Sequence, residues 1–564
     1  MMSVKEKIVD LLHKELSEHL DKDQLSRLIE KPSNSELGDY AFPVFSLAKI
    51  FRKAPNAIAE ELAAKLDPSG FEKVQVVGAY INFFIEKGAH GNAVIGEILT
   101  KGSDYGCTDV GKGGNVPIDM SSPNIAKPMS MGHLRSTVLG ESIAKILAKI
   151  NYNPIRINHL GDWGTQFGKL IVAYKGWGDE EVVKADPVNE LVKLYVDFHE
   201  KAEENPELED QARQVFKELE EGNQEYLDLW NWFKDESIKT FKKVYDLLDI
   251  HFDYYTGESF YNDKMQEVID ILADKGISHI ENGATVVNLD KYNLPIALIK
   301  KSDGATLYLT RDLATAYYRK RTFDFVQSLY VVGSEQSDHF KQLKAVLKEM
   351  GNDWSDDMHH IPFGLITLNG KKLSTRKGKI VLLEKVLHEA IEIADEQIAA
   401  KNPNLENRQE VAQQVGVGAV VFHDLKSDRL NSFDFNLDEV VQFEGETGPY
   451  VQYTYARLNT VIAKYGKEVS DTVDFNLDDE NSWEIIKLLQ NYPEVIVKAA
   501  TEYEPSVIAK YAITLAQQAN KYYAKVRILE ENDQLETRIQ LVKAVTIVLK
   551  DALSLLNIKA PERM

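Results

Sequence analysis

The chain has 564 residues, 44% of them hydrophobic and 27% charged, and a formal net charge of −22 at pH 7. That length exceeds a single core and implies two to four domains of roughly 100–200 residues each. The acidic balance excludes indiscriminate nucleic-acid binding, because phosphate contacts need Lys and Arg to displace counterions, but it leaves room for a local basic face. Cys107 stands alone, which excludes internal disulfides and a multi-Cys structural zinc and agrees with a reducing, cytosolic compartment. No run reaches the ~18 apolar residues of a membrane span, and MMSVKEKIVDLLHKEL lacks the apolar core of a signal peptide.

In chain order, residues 1–110 open with an amphipathic helix, pass a Pro-marked turn in LGDYAFPVFSLAKIFRKAPNAIAEELAAKL, and continue as two alternating strands around Gly78, a small α+β domain. GKGG at 111–114 reads as a joint, since no Gly-Lys-Ser/Thr ending follows. From 115 to 435 short apolar runs feed helices (NVPIDM, PIRINHL, SLYVVGSE, HHIPFGLITL), the alternation of βαβ units and a parallel sheet. Charged helical sequence interrupts it between about 178 and 255. VGVGAVVF at 415–422 fits a buried strand or a buried helix equally, and residues 436–564 are almost wholly helical in pattern.

The chemistry gathers in SSPNIAKPMSMGHLRST at 121–137. Pro123 and Pro128 forbid helix before the loop, and Leu134, Val138, Ile143, Ile146, Leu147 and Ile150 supply an apolar face after it, so a helix starts near Gly132-His133. Its free amides and positive dipole end would face the crevice at the carboxyl end of the sheet, where anions collect. Gly132 lets a bulky group approach the backbone, His133 can reach a phosphate or ribose oxygen, and Lys127 can neutralise charge on a phosphate. A histidine in this place also serves as a cap or packing residue. NGKKLSTRKGKIV at 369–381, a Gly-flanked basic loop rich in hydroxyls, suits a triphosphate and is otherwise a solvated turn. GDWGTQFG at 161–168 does not have the G-x-G-x-x-G spacing of a dinucleotide loop, and its Trp163 suits a wall beside a nucleotide. His359 and His360, adjacent in a strand-like run, point to opposite faces and read as structural.

SSPNIAKPMSMGHLRST resembles the first signature region of class I aminoacyl-tRNA synthetases, and KLSTR at 372–376 resembles their second signature loop. With NHLGDWGTQFG, SDGATLYLTRDLATAYYR, VVGSEQSDHFKQL, EGETGPYVQYTYAR and the closing APERM, in the family's order over nearly the whole chain, the sequence is similar to the arginyl-tRNA synthetases. The resemblance implies a multidomain α/β protein with a Rossmann-like parallel-sheet catalytic core and a helical insertion. That core would lie between an α+β N-terminal domain that touches the tRNA corner and an all-α anticodon-binding domain. It implies ATP-dependent activation of arginine, assisted by Mg²⁺, transfer to tRNA(Arg), a cytoplasmic monomer, and activation that requires bound tRNA. A catalytically decayed tRNA-binding paralogue is the alternative, motivated by Ser130 alone.

By the same resemblance Lys127, His133, Lys372, Ser374 and Arg376 are the catalytic residues, and Ser130, Gly132, His133, Gly364 and Lys372 hold ATP. No metal ligand is implied. Ser130 stands where the family often has His, and Thr375 where it often has Lys, the second departure shifting work to Lys127. Recognition of a guanidinium needs fixed carboxylates, since it is a planar fork of donors. Asp312 in YLTRD is the candidate, with Thr310 as a possible cap for a helix beginning there; on its own Asp312 is also an ordinary early-helix acid. The family match adds Asp119, Ser122, Asn124, Tyr308 and Gln336 as arginine contacts. Tyr450, Tyr453, Arg457, Tyr522 and Met564 are implied to meet the anticodon; aromatics interleaved with cations suit unstacked bases, and equally the core of a helical bundle.

Overall fold

The computed structural model of the chain describes residues 3–368, 370–372 (371 and 372 by backbone alone) and 381–564. It forms two compact units. Unit 1 comprises Met1–Lys101, Lys467–Lys487 and Arg527–Ala544; unit 2 comprises Gly102–Gly466, Leu488–Val526 and Val545–Met564.

Unit 1 begins with the helix Val4–Leu16, whose Ser3 and Glu6 form a capping box. Its sheet has the order β1–β3–β2, all antiparallel, from β1 (Tyr40–Pro43), β2 (Phe71–Val77) and β3 (Tyr80–Ile85). Gly78 turns the β2–β3 hairpin with φ +59°. The segments from far along the chain complete this core: the Phe475 ring fills the space where a Cβ on Gly91 would sit, 2.4 Å away, and Trp483 is 7% exposed.

Unit 2 holds the remaining strands: β4 (Asn115–Asp119), β5 (Asn153–Ile157), β6 (Ser278–Glu281), β7 (Ala284–Val287), β8 (Ala297–Lys300), β9 (Ser328–Val331), β10 (Met358–Ile361), β11 (Ile366–Leu368), β12 (Lys371–Lys372) and β13 (Phe433–Asp434). The central sheet runs β10–β9–β4–β5, every pairing parallel. From β4 the chain crosses to β5 on one side, and from β9 to β10 on the other. The connections therefore diverge between β4 and β9, the switch point where open α/β sheets leave a crevice at the carboxyl ends of their strands. β6, β7 and β8 form an antiparallel meander, and β11 lies between β12 and β13.

The interruption after the second strand is helical: Glu180–Ala185, Pro187–Glu204, Glu207–Glu220 and Gln224–Leu248. VGVGAVVF lies inside the helix Arg408–Leu425 and is almost entirely buried. The signature helix is Leu134–Lys149, preceded by a 3₁₀ turn at Met131–His133. It is buried on more than its apolar face, because helices as well as the sheet pack on it, so its hydroxyls find internal acceptors: Ser136 Oγ donates to the Val331 carbonyl at 2.7 Å and Ser142 Oγ to that of Leu555 at 2.8 Å. Thr310 does not cap a helix. The helix begins earlier, at Tyr308, and Thr310 lies buried within it, its hydroxyl donating to the Ile299 carbonyl. The segment before it, with a bridge between Lys300 and Thr306, releases the chain into helix with Leu307 at the cap position, three residues sooner than the Thr suggests.

Candidate active site and candidate nucleic-acid interface

The loop leaving β4 is held in an uncommon backbone shape. Ser121, Ser122 and Ala126 have φ of +67°, +51° and +58°, a region that costs side-chain-bearing residues energy and persists only where surroundings enforce it. The enforcement is visible. The Ser121 N–H donates to Ser136 Oγ at 2.9 Å, its hydroxyl pairs with Tyr245 at 2.7 Å, and the Ala126 N–H donates to Ser237 Oγ at 3.0 Å. Burial pushes the Tyr245 hydroxyl well above the ordinary phenol range, so it stays protonated. Gly161 holds the loop through its backbone: the Ile125 N–H donates to the Gly161 carbonyl at 3.1 Å and the Gly161 N–H to that of Pro123 at 3.1 Å. A Cβ on Gly161 would collide with Asn124.

His133 is neutral in this setting. Burial lowers its pKa, and the Ser130 backbone N–H donates to Nδ1 at 3.0 Å, which requires a lone pair there and leaves the proton on Nε2. The Ser130 hydroxyl lies 3.3 Å from the same nitrogen. Gly132 is exposed, and among the described residues only that hydroxyl comes near the place of its missing Cβ. Lys127 is exposed and, among the described residues, forms no ion pair. Across the loop, the Met131 N–H donates to the Val381 carbonyl at 2.9 Å and the Leu383 N–H to that of Met129 at 3.1 Å. Residues 381–383, which follow KLSTR in the chain, therefore run beside MSMG. Lys372 is paired through its backbone with Thr367 in the β11–β12 hairpin; Ser374 and Arg376 lie outside the described residues.

Gly364 belongs to a close backbone crossing, where a Cβ would stand 2.6 Å from Asn431. Arg135, two residues past His133, ties this crossing to the signature helix. It is 1% exposed, donates to the Gly364 and Asn431 carbonyls at 3.0 and 2.7 Å, and pairs with Asp424 at 3.2 Å. Burial lifts the Asp424 carboxyl to about 6, and Arg135 opposes the rise.

On the helix Tyr308–Phe323, Tyr308, Asp312 and Arg319 share one face by their spacing. Arg319 is fully buried and pairs with Asp119 Oδ2 at 2.9 Å, locking this helix to the end of β4. Asp119 Oδ1 accepts the Ser122 hydroxyl at 3.0 Å. The carboxylate of Asp119 and the hydroxyl of Ser122 are thus each held by a protein partner. Tyr308 is 74% exposed at the mouth, and Asn124 and Gln336 are exposed on the loops leaving β4 and β9. Asp312 keeps one oxygen on His339 Nε2 at 2.5 Å.

Glu258, which motif reasoning passed over, stands beside this group. Arg311, next to Asp312 in the chain, donates to the Glu258 carbonyl and, at 2.7 Å, to Asn262. Burial raises the Glu258 carboxyl to about 7; Arg311 opposes the rise, Asp162 adds to it, the Trp163 backbone N–H holds it down, and Asp312 adds to it again. Glu258 and Asp312 are thus near enough for the charge of one to act on the other.

Elsewhere in unit 2 a cavity of about 820 Å³ is lined by Asn402, Tyr453, Arg457, Tyr523, Arg563 and Met564, among others. The Arg457 guanidinium lies 4.9 Å from the ring centres of both Tyr453 and Tyr523 and donates to Asn520 at 3.0 Å. Tyr453, Arg457 and Met564 are brought together here. Tyr450 is half-buried behind them, its hydroxyl accepting from Asn520 at 3.0 Å. Tyr522 does not reach the cavity: it is 1% exposed, and the helix Ser506–Lys525 turns its neighbour Tyr523 outward instead. No group of three potential metal-ligating side chains occurs among the described residues.

Comparison with known proteins gives the same picture over the whole chain. Residues 94–437 match the family described as "tRNA synthetases class I (R), catalytic domain", 451–564 the "DALR anticodon binding domain", and 3–85 the "Arginyl tRNA synthetase N terminal domain". The chain belongs to the arginyl-tRNA synthetases. It is 63% identical over 563 residues to the arginine–tRNA ligase of Enterococcus faecalis and 59% identical to that of Ligilactobacillus salivarius, with 100% of each chain covered. Among solved structures, the arginyl-tRNA synthetase of Thermus thermophilus superposes with a TM-score of 0.82 at 25% identity, covering 100% of both chains. That of Plasmodium falciparum superposes at 0.80 with 23% identity and the same coverage, a likeness of fold. As an arginyl-tRNA synthetase the chain has a class I ATP-using catalytic domain and an anticodon-binding domain, and no helix among the described residues is long and apolar enough to cross a membrane. Nothing favours a decayed paralogue: Lys127, Gly132, His133, Asp312, Gln336 and Lys372 are all present.

Proposed function

We propose that this arginine–tRNA ligase activates arginine in the crevice between β4 and β9 and reads tRNA(Arg) at the cavity around Arg457. The observation that supports the reading is the backbone pairing of residues 129–131 of the first signature with residues 381–383, which follow the second; we take the crevice to be bounded by these segments on one side and by Glu258 and Asp312 on the other. ATP enters with Mg²⁺ on its phosphates. The arginine carboxylate is already ionised, so its attack on the α-phosphate needs no base, and placement with charge stabilisation carries the step. Lys127, with Lys372, Ser374 and Arg376, draws in the triphosphate; Gly132 admits it to the backbone. His133 donates from Nε2 as a neutral imidazole. Ser130 contributes its backbone N–H, which fixes that tautomer, and Gly364 keeps the neighbouring crossing close.

Glu258 and Asp312 face the guanidinium, with Tyr308 across the mouth and Asn124 and Gln336 toward the α-amino end. Asp119 and Ser122 serve the pocket through Arg319 and the strained loop. Bases of the anticodon stack against Tyr453, Tyr523 and Arg457 beside Met564, with Tyr450 behind them. The N-terminal domain meets the tRNA corner, and the enzyme is a cytoplasmic monomer that exchanges pyrophosphate only with tRNA bound. Charging of a tRNA mixture with labelled arginine, lysine and glutamine tests this: arginine alone is transferred. No arginyl-tRNA under any condition would sink it, and rapid tRNA-free pyrophosphate exchange would remove the tRNA requirement.

A further inference from the structure

We propose that Asp162 is a positioning residue for arginine selection, fixing the Glu258 carboxylate against the Asp312 helix through a two-point grip on Ser259. The proposal rests on Glu258 facing the guanidinium. Asp162 lies in GDWGTQFG, has 0% exposure, and holds Ser259 with both carboxylate oxygens: Oδ1 accepts the Ser259 N–H at 2.8 Å and Oδ2 its hydroxyl at 2.8 Å. Lys234 reaches Oδ2 at 2.9 Å and neutralises the buried charge. An ionised carboxylate sealed from water costs energy unless paired and hydrogen-bonded. Here those bonds converge on the residue after Glu258 and so set the backbone direction from which the Glu258 side chain departs.

The other restraints on Glu258 point the same way. Its own N–H donates to the Leu160 carbonyl at 3.0 Å, its carbonyl accepts from Arg311, and the Trp163 backbone N–H faces its carboxyl. A Cβ on Gly257 would lie 2.8 Å from Asp162 Oδ2 and 2.5 Å from the Leu160 carbonyl oxygen, so the segment can pass this close only as glycine. GDWG thus holds Glu258 on one side, and Arg311, bonded in sequence to Asp312, holds it on the other. The Trp230 indole N–H, donating to the Asp162 carbonyl at 2.8 Å, anchors the loop itself. The physical effect is pre-organisation: two carboxyl groups that repel one another are kept where a planar cation will lie between them.

The test is arginylation kinetics of the full chain with tRNA(Arg), for Asp162→Asn, Ser259→Ala and Glu258→Gln. Asp162→Asn is expected to raise KM for arginine about tenfold with KM for ATP held within about twofold, since the misplacement is local. Ser259→Ala, which removes one of the two contacts, raises it about threefold. Asp162→Asn also moves the pH dependence of KM for arginine downward, because one negative neighbour of Glu258 is gone while Arg311, Lys234, Asp312 and its partner His339 stay; Ser259→Ala, which keeps that charge, leaves the profile in place and raises KM for arginine through misplacement alone. Equal losses in kcat and in both KM values, or no change in KM for arginine in a folded variant, overturn the proposal. Should Asp162→Asn fail to fold, Ser259→Ala decides. If Glu258→Gln leaves KM for arginine unchanged, the reading of Glu258 itself falls; if it raises KM while the Asp162 and Ser259 variants do not, only the positioning role falls.

Discussion

At the carboxyl end of the parallel sheet what the first signature loop offers is largely backbone shape: three side-chain-bearing residues at positive φ, a bare Gly132, and a histidine held neutral by its own turn. At the cavity around Arg457 what is offered is largely side chain, a guanidinium between two tyrosine rings. The difference follows from what each must hold. A triphosphate offers charge and oxygen atoms, which amides, a helix end and a few cations match at short range. An unstacked base offers a flat π face, which only a ring or a guanidinium plane can cover.

The sharpest way to break this contrast is His133→Ala. Loss of a donor that acts on the reacting phosphate should lower kcat of arginylation by about a hundredfold while KM for tRNA stays put; a loss confined to tRNA affinity would contradict it. Arg457→Ala and Tyr523→Ala should do the reverse, each raising KM for tRNA about tenfold with arginine and ATP affinities intact, the scale of one stacked base. Tyr522→Ala is the control. It removes a buried ring, so it should lower the melting temperature, by about 3–5 kcal/mol of stability, and not tRNA affinity in the folded fraction.

The arginine mouth supplies a pH test of comparable size. With the Glu258 carboxyl raised to about 7, its protonated form dominates below that pH, whereas a bound guanidinium demands the ionised form. KM for arginine should therefore fall about tenfold between pH 6 and 8 and then level, and Glu258→Gln should flatten the curve. The smallest effect belongs to Ser130→Ala. The contact that fixes His133 comes from the backbone N–H, which alanine keeps, so kcat should stay within about threefold; a larger drop would give the hydroxyl its own part.

The parallel sheet, the helical insertion and the Lys127–Gly132–His133 loop were legible because each is a local pattern. The supports were not. Arg319 meets Asp119 across 200 positions and Arg135 meets Asp424 across 289, and no periodicity encodes such pairings. Glu258 sits in a charged stretch where one more glutamate looks like solvent-facing sequence, and only its burial distinguishes it. Tyr522 was different, since the signal was present: Ile508, Ala512, Leu515, Ala519 and Tyr522 form one buried stripe of the helix, and that phase already pointed Tyr523 outward.

Unit 1 carries a practical consequence for dissecting the molecule. Its core is closed by Phe475 against Gly91 and by the Phe475 N–H on Asn92 at 2.6 Å, with the Trp483 indole on Asp39 at 3.4 Å. A chain cut after residue 101 would yield a fragment missing part of its interior and a remainder carrying two apolar rings with nothing to cover them. Truncation is therefore the wrong instrument for asking what the first hundred residues contribute; point substitutions on the outer surface of the β1–β3–β2 sheet pose the question without opening the core.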